Sequence, residues 1–160
     1  MCIEDMLTED DKTQIFAELA KAGGRAQAAG TEALKVVLRR HGWVSDEHLC
    51  EAAGLLGLSP AELDSVATAY NLLRRRPAGR HVILLCDSVS CWVIGYTTVL
   101  EHLRRRLGID LGQTTPDGRF TLLPNACLGL CEQAPAMLVD GNVHGNLTAN
   151  GVDEALGLYP

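Results

Sequence analysis

The sequence predicts an α+β protein: an N-terminal helical bundle followed by a smaller α/β half. Three observations predict it. Up to Ala67 the apolar residues recur at helical spacing between recognisable caps. The stretch Arg74-Arg75-Arg76-Pro77-Ala78-Gly79-Arg80 then suits neither a helix face nor a strand. Beyond it, Val82-Ile83-Leu84-Leu85 is an unbroken apolar run of the kind found in buried strands. The expected organisation is a helical domain over 1–73, a linker over 74–80 and a second domain over 81–160.

In the first half, Thr8 caps a helix that opens with acids and carries Ile15, Phe16 and Leu19 on its apolar side, with Gly23-Gly24 as its stop. The Gly- and Ala-rich stretch from Ala20 to Ala33 reads as a loop. A second helix fits Thr31 to His41, with Leu34, Val37, Leu38 and His41 on one face. Ser45, followed by Asp46 and Glu47, opens a third that carries Leu49, Ala52, Ala53 and Leu56 and stops at Gly57. The plainest start signal is Ser59-Pro60-Ala61-Glu62, a capping box with proline at the first helical position, leading into Leu63, Val66 and Ala67.

In the second half, the strand Val82–Leu85 is expected to be covered on both faces. Tyr96, Val99, Leu100, Leu103 and Leu107 repeat at helical spacing, and Gly108 ends them. Pro116-Asp117-Gly118 is a turn before a strand from Phe120 to Leu123. Met137-Leu138-Val139, Asp140-Gly141-Asn142 and Val143 read as a hairpin, and a helix from Thr148 to Leu158 closes the chain. The order β-α-β-β-β-α has a thioredoxin-like outline.

Composition excludes several classes. The formal charge is −6 and aromatics are few, which is the opposite of a nucleic-acid binder's footprint. No run of about 18 apolar residues occurs, so no membrane span is expected. The start, with Glu4, Asp5, Glu9, Asp10 and Asp11, is unlike a basic targeting segment, and a cytoplasmic protein is expected. The arginine groups Arg74–Arg76 with Arg80, and Arg104–Arg106, read first as a solvated linker and a helix C-terminus, and second as a docking patch for an acidic surface.

Six cysteines in such a chain point to metal or cofactor ligation rather than disulfides. Cys86 and Cys91 are separated by four residues, Cys127 and Cys131 by three, and the predicted fold can bring both pairs to one end of the sheet. Four thiolates suit an iron–sulfur cluster or a structural zinc. The four-residue gap matches the opening spacing of plant-type [2Fe–2S] ferredoxins, but spacing alone leaves both readings open. The gap of a thiol–disulfide enzyme, C-x-x-C, is absent. Within Cys127-Leu128-Gly129-Leu130-Cys131, Gly129 can take a positive φ and turn amides toward a metal, whose reduced form they would stabilise. Asp87 and Glu132, beside ligand candidates, would act oppositely unless they face water.

The segments Cys86-Asp-Ser-Val-Ser-Cys91, Thr114-Thr-Pro-Asp-Gly-Arg-Phe-Thr-Leu-Leu-Pro124, Cys127-Leu-Gly-Leu-Cys131 and Ala134-Pro135 resemble the thioredoxin-like [2Fe-2S] subunit family, the E subunits, of bacterial NADH:quinone oxidoreductase, respiratory complex I. The likeness reaches upstream through Gly42-Trp43-Val44 and Ser65-Val66-Ala67-Thr68, covering roughly 31–158. It implies a thioredoxin-like [2Fe–2S] ferredoxin domain behind a helical bundle, with the cluster on Cys86, Cys91, Cys127 and Cys131. It also implies a partner, the flavoprotein of complex I that binds FMN and NADH, other peripheral-arm subunits, and a place on the inner membrane through that complex. The family usually has Gly-Val-Ala-Thr-Phe-Tyr where this chain has Ser65-Val-Ala-Thr-Ala69-Tyr70, a departure in the helical half expected to clasp the flavoprotein.

No catalytic residue is expected, since no phosphate loop, paired catalytic carboxylates or nucleophile–base pair stands out. Cys2 reads as a terminal thiol and Cys50 as a small buried side chain. His41, His48, His81, His102 and His144 lack ligand spacing and read as structural or exposed. Trp92 either shields the cluster or packs in a core or interface. The alternatives are the equivalent subunit of an NAD-linked formate dehydrogenase or hydrogenase, and a zinc-stabilised scaffold.

Overall fold

The computed structural model describes residues 6–70 and 72–160; Cys2, Glu4 and Asp5 lie outside them. The chain divides into two compact units, Met1–Pro77 and Ala78–Pro160.

The first unit contains α1 (Glu9–Lys21), α2 (Ala26–His41), α3 (Asp46–Leu56) and α4 (Pro60–Ala69). Thr8, Ser45 and Ser59 cap α1, α3 and α4, as their positions predict, and each forms a reciprocal box with the side chain at the third helical position. Each such cap contributes about 1 kcal/mol. Ile15, Leu34, Val37, Leu49, Ala52, Ala53 and Leu63 are buried in its core.

Four details differ from the sequence reading. Helix α2 starts at Ala26, not Thr31, because alanine's high helix propensity continues the helix where composition suggested a loop. Phe16 is 49% exposed while Ile15 is fully buried, since consecutive helical residues point about 100° apart. Cys50 is exposed for the same reason, one position past buried Leu49. Arg75 is not a solvated linker residue: its guanidinium donates to the carbonyls of Val44 and Ser45 and pairs with Asp46 and Asp64.

The second unit contains β1 (His81–Cys86), α5 (Val89–Ile94), α6 (Tyr96–Leu107), β2 (Gln113–Thr114), β3 (Phe120–Asn125), β4 (Met137–Val139), β5 (Asn142–His144) and α7 (Ala149–Gly157). The sheet order is β2-β3-β1-β4-β5. Strands β1 and β3 run parallel, and the other neighbours are antiparallel. The predicted hairpin is β4–β5, turning at Asp140 and Gly141. Strand β2 escaped the sequence reading because it is two exposed polar residues long. Helix α5 escaped as a separate element because only Gly95 parts it from α6.

One sheet face carries Ile83, Leu85, Phe120, Leu122, Met137 and Val139, which pack with Val99 and Leu103 of α6 and Val152 and Leu156 of α7. On the other face Leu84 lies between Leu123 and Leu138 in register, all three half-buried, so β1 is less fully covered than its sequence suggests.

Candidate metal centre

The strand register brings the cysteine segments to one end of the sheet. Cys86 ends β1 opposite Asn125, which ends the parallel strand β3, and Cys127 follows two residues later. Strand β4 runs the other way, with its first residue Met137 opposite Leu85. The segment that enters β4, beginning with the 3-10 turn Cys131–Gln133, therefore lies at the same end. The Cys86 amide donates to Ala136 and the Asp87 amide to Asn125, both at 3.1 Å, which carries each ladder one step past the strands. Cys91 sits in α5, immediately after β1, and is that helix's buried residue.

Cys86 and Cys91 are buried, Cys127 and Cys131 exposed, and all four are free thiols. Burial pushes the Cys91 thiol up; its hydrogen bond with Cys86 and the charges of Cys86 and Cys131 push the same way, against the backbone at Ala136. Cys91 is thus within interaction range of both Cys86 and Cys131. Cys127 is positioned separately, by contacts in its own loop. The Asn125 side-chain amide donates to the Cys127 carbonyl at 3.0 Å, and the Gly129 N–H donates to the Cys127 sulfur at 3.4 Å. Gly129 has φ +73°, the left-handed conformation foreseen from the sequence.

Among the described residues no three His, Cys, Asp or Glu side chains gather closely enough to hold a single metal ion. A diiron core bridged by sulfides asks each iron for only two protein thiolates, so paired cysteines match its donor requirement.

Asp87 and Glu132 are exposed. Trp92 is 61% exposed, so it is not a core residue. The histidines have structural partners: His41 with Asp11, His48 in the α3 cap, His81 with Asp140, His102 with Asp153 and His144 with Tyr159. Sequence reasoning missed Asn125 and Gly145. A polar residue at a strand end and an isolated glycine carry no pattern that marks them.

The family model for thioredoxin-like [2Fe-2S] ferredoxins matches residues 14–159. The chain belongs to the thioredoxin-like [2Fe-2S] ferredoxin family. It is 44% identical over 154 residues to the E subunit of NADH-quinone oxidoreductase from Pseudomonas aeruginosa, covering 96% of this chain and 92% of that one. It is 45% identical over 133 residues to the protein of the same name from Escherichia coli, covering 83% and 80%. Among solved structures, an NAD+-reducing [NiFe]-hydrogenase in the H2-reduced state is similar with a TM-score of 0.70 and 28% identity over 83% of this chain. The chain spans only 22% of that hydrogenase chain. As a thioredoxin-like [2Fe-2S] ferredoxin, the protein takes a [2Fe–2S] cluster and serves electron transfer. The likeness drawn from its motifs extends over most of the chain.

Proposed function

We propose that this chain is the electron-carrier E subunit of a bacterial NADH:quinone oxidoreductase, and that Cys86, Cys91, Cys127 and Cys131 are the ligands of its [2Fe–2S] cluster. Its electron partner is the FMN of the neighbouring flavoprotein, which also binds NADH, and this chain itself carries no catalytic residue. The observation that carries the reading is the arrival of both cysteine segments at one end of the sheet, where Cys91 interacts with Cys86 and Cys131. The identity with the oxidoreductase relatives over nearly their whole length supports the choice of complex.

When bound, such a cluster supplies reversible one-electron storage, its formal charge with four thiolates going from about −2 to about −3. The chain's residues have three tasks toward it. The strand ends and α5 bury Cys86 and Cys91 away from water. Asn125 orients the loop that carries Cys127. The Gly129 N–H places a positive dipole against the Cys127 sulfur, which favours the added negative charge. No helix among the described residues is long and apolar enough to cross a membrane; in this reading the chain is attached to the inner membrane through the other subunits.

The likeness to the hydrogenase favours one second reading, the equivalent module of an NAD-linked hydrogenase. Purification of the tagged chain with its native partners separates the two: hydrogen-processing subunits in the complex would overturn the assignment to complex I. For the cluster, the test is metal and sulfide analysis together with an electron paramagnetic resonance spectrum of the dithionite-reduced protein. Two irons and two acid-labile sulfides per chain are expected, with loss of the signal in Cys91→Ala and Cys131→Ala. A single zinc, or unchanged spectra in both variants, would contradict the ligand assignment.

A further inference from the structure

Helix α5 is six residues long, and four of them turn large apolar side chains to solvent. Val89 is 78% exposed, Trp92 61%, Val93 81% and Ile94 58%. Single exposed apolar residues are ordinary, but a contiguous group marks a surface that is covered in use. The Trp92 ring lies nearly parallel to that of Tyr96, 6.3 Å away and tilted by 18°, so it is held in place as an interface anchor is. The patch borders the Cys131 segment: a side chain at Gly95, which ends α5, would stand 3.5 Å from Pro135. An exposed carboxylate, Asp87, stands just before Ser88, the residue that opens α5.

We propose that this face of α5 is the docking surface for the flavin-bearing redox partner. The proposal rests on the reading of Cys91 as a cluster ligand. Electron exchange weakens steeply with separation, and α5 carries both a buried cysteine of the site and an apolar outer face. A partner seated on Val93 and Trp92 rests against the helix that holds Cys91. Asp87 calls for a basic group on the partner's rim, which gives the contact its orientation. In the hydrogenase neighbour the matching module makes up only 22% of its chain, which favours a large redox body over a second copy of this chain as the occupant. One electron crosses and no atom does: the partner's reduced flavin loses the electron that the cluster gains, and any proton released leaves on the partner's side.

The test uses the full-length tagged chain expressed in its own host, with Val93→Arg and Val89→Asp on α5 and Val143→Arg on exposed β5 as the control. The readouts are the cluster signal after dithionite, the flavin retained on the tag, and bleaching of the cluster by NADH. Both α5 variants should keep the cluster signal, lose at least ten-fold of the retained flavin and no longer bleach with NADH, while Val143→Arg matches wild type. Should Val93→Arg lose its cluster, Val89→Asp decides, because an acid in the first turn suits the helix. Wild-type flavin retention in an α5 variant with an intact cluster overturns the proposal, and so does equal loss in the control. A wild-type dimer that Val93→Arg splits without releasing flavin assigns the surface to self-association and also overturns it. A wild-type chain without iron or signal would instead sink the cluster reading beneath it.

Discussion

Asn125 holds Cys127: its side-chain amide, buried at the end of β3, donates to the Cys127 carbonyl at 3.0 Å. Because Asn125 also stands opposite Cys86 in the parallel register, one residue ties the loop of one cysteine pair to the strand of the other. Replacing it with alanine leaves that carbonyl without its donor and costs about 1–2 kcal/mol locally. Asn125→Ala should bind the cluster but lose it to an iron chelator roughly five- to thirty-fold faster, followed as bleaching of the visible spectrum. Loss at the wild-type rate would show that the loop is held by other means.

The Gly129 N–H bears on potential rather than retention. An alanine there meets open space, so its cost is backbone strain at φ +73°, about 1–2 kcal/mol. Relief of that strain turns the N–H away from the Cys127 sulfur and removes a dipole that stabilises the reduced cluster. Gly129→Ala is expected to shift the midpoint to a more negative value at unchanged iron content, measured by a redox titration read in the paramagnetic signal. An unmoved midpoint would remove Gly129 from the tuning groups.

Gly145 positions Cys131 at second hand. A Cβ on it would lie 2.6 Å from the Gln133 Cβ and 3.0 Å from the Gln133 carbonyl oxygen, so the Cys131–Gln133 turn would have to move. Overpacking of this kind costs about 1–3 kcal/mol. Gly145→Ala should purify with less cluster per chain and a broadened reduced-state spectrum, while its far-ultraviolet circular dichroism stays native. Full cluster content with an unchanged spectrum would mean that the turn yields without disturbing Cys131.

Acid should weaken the helical unit through Asp11. Burial alone would raise this carboxyl, but the Thr8 hydroxyl and amide, His41 and Arg40 outweigh burial and hold it below its usual range. A carboxyl depressed in the folded state contributes stability that is present above its unfolded value, near about 3.9, and is lost as pH falls through the folded one. The melting temperature of the unit should therefore fall as pH drops below about 4, and Asp11→Asn should be less stable at neutral pH and less sensitive to that drop. An equal acid response in the variant would assign the effect to other carboxylates.

The local chemistry was legible. Thr8, Ser45 and Ser59 announce their helices because a capping hydroxyl acts within three residues of itself, and the β4–β5 hairpin follows from Asp140-Gly141 for a similar reason. Phe16 and Cys50 differ from the sequence reading by one step of about 100° around their helices, and Arg75 differs because ion pairing is settled by neighbours distant in the chain: it finds Val44 and Asp46 about thirty positions away.

By itself the sequence determined the two halves, most of their elements, the two cysteine pairs and, through their spacing and flanking motifs, the likeness to a [2Fe–2S] family. Only the tertiary structure decided that β1 and β3 run parallel while β4 returns antiparallel, which places Cys86, Cys127 and Cys131 at one end. It alone separated two buried sulfurs from two exposed ones, set Asn125 and Gly145 against the loops that carry them, and turned the apolar side of α5 outward. The reason is range: capping and turn preferences are set by a few adjacent residues, whereas strand register, burial and close approach are properties of segments that meet only when the chain has folded.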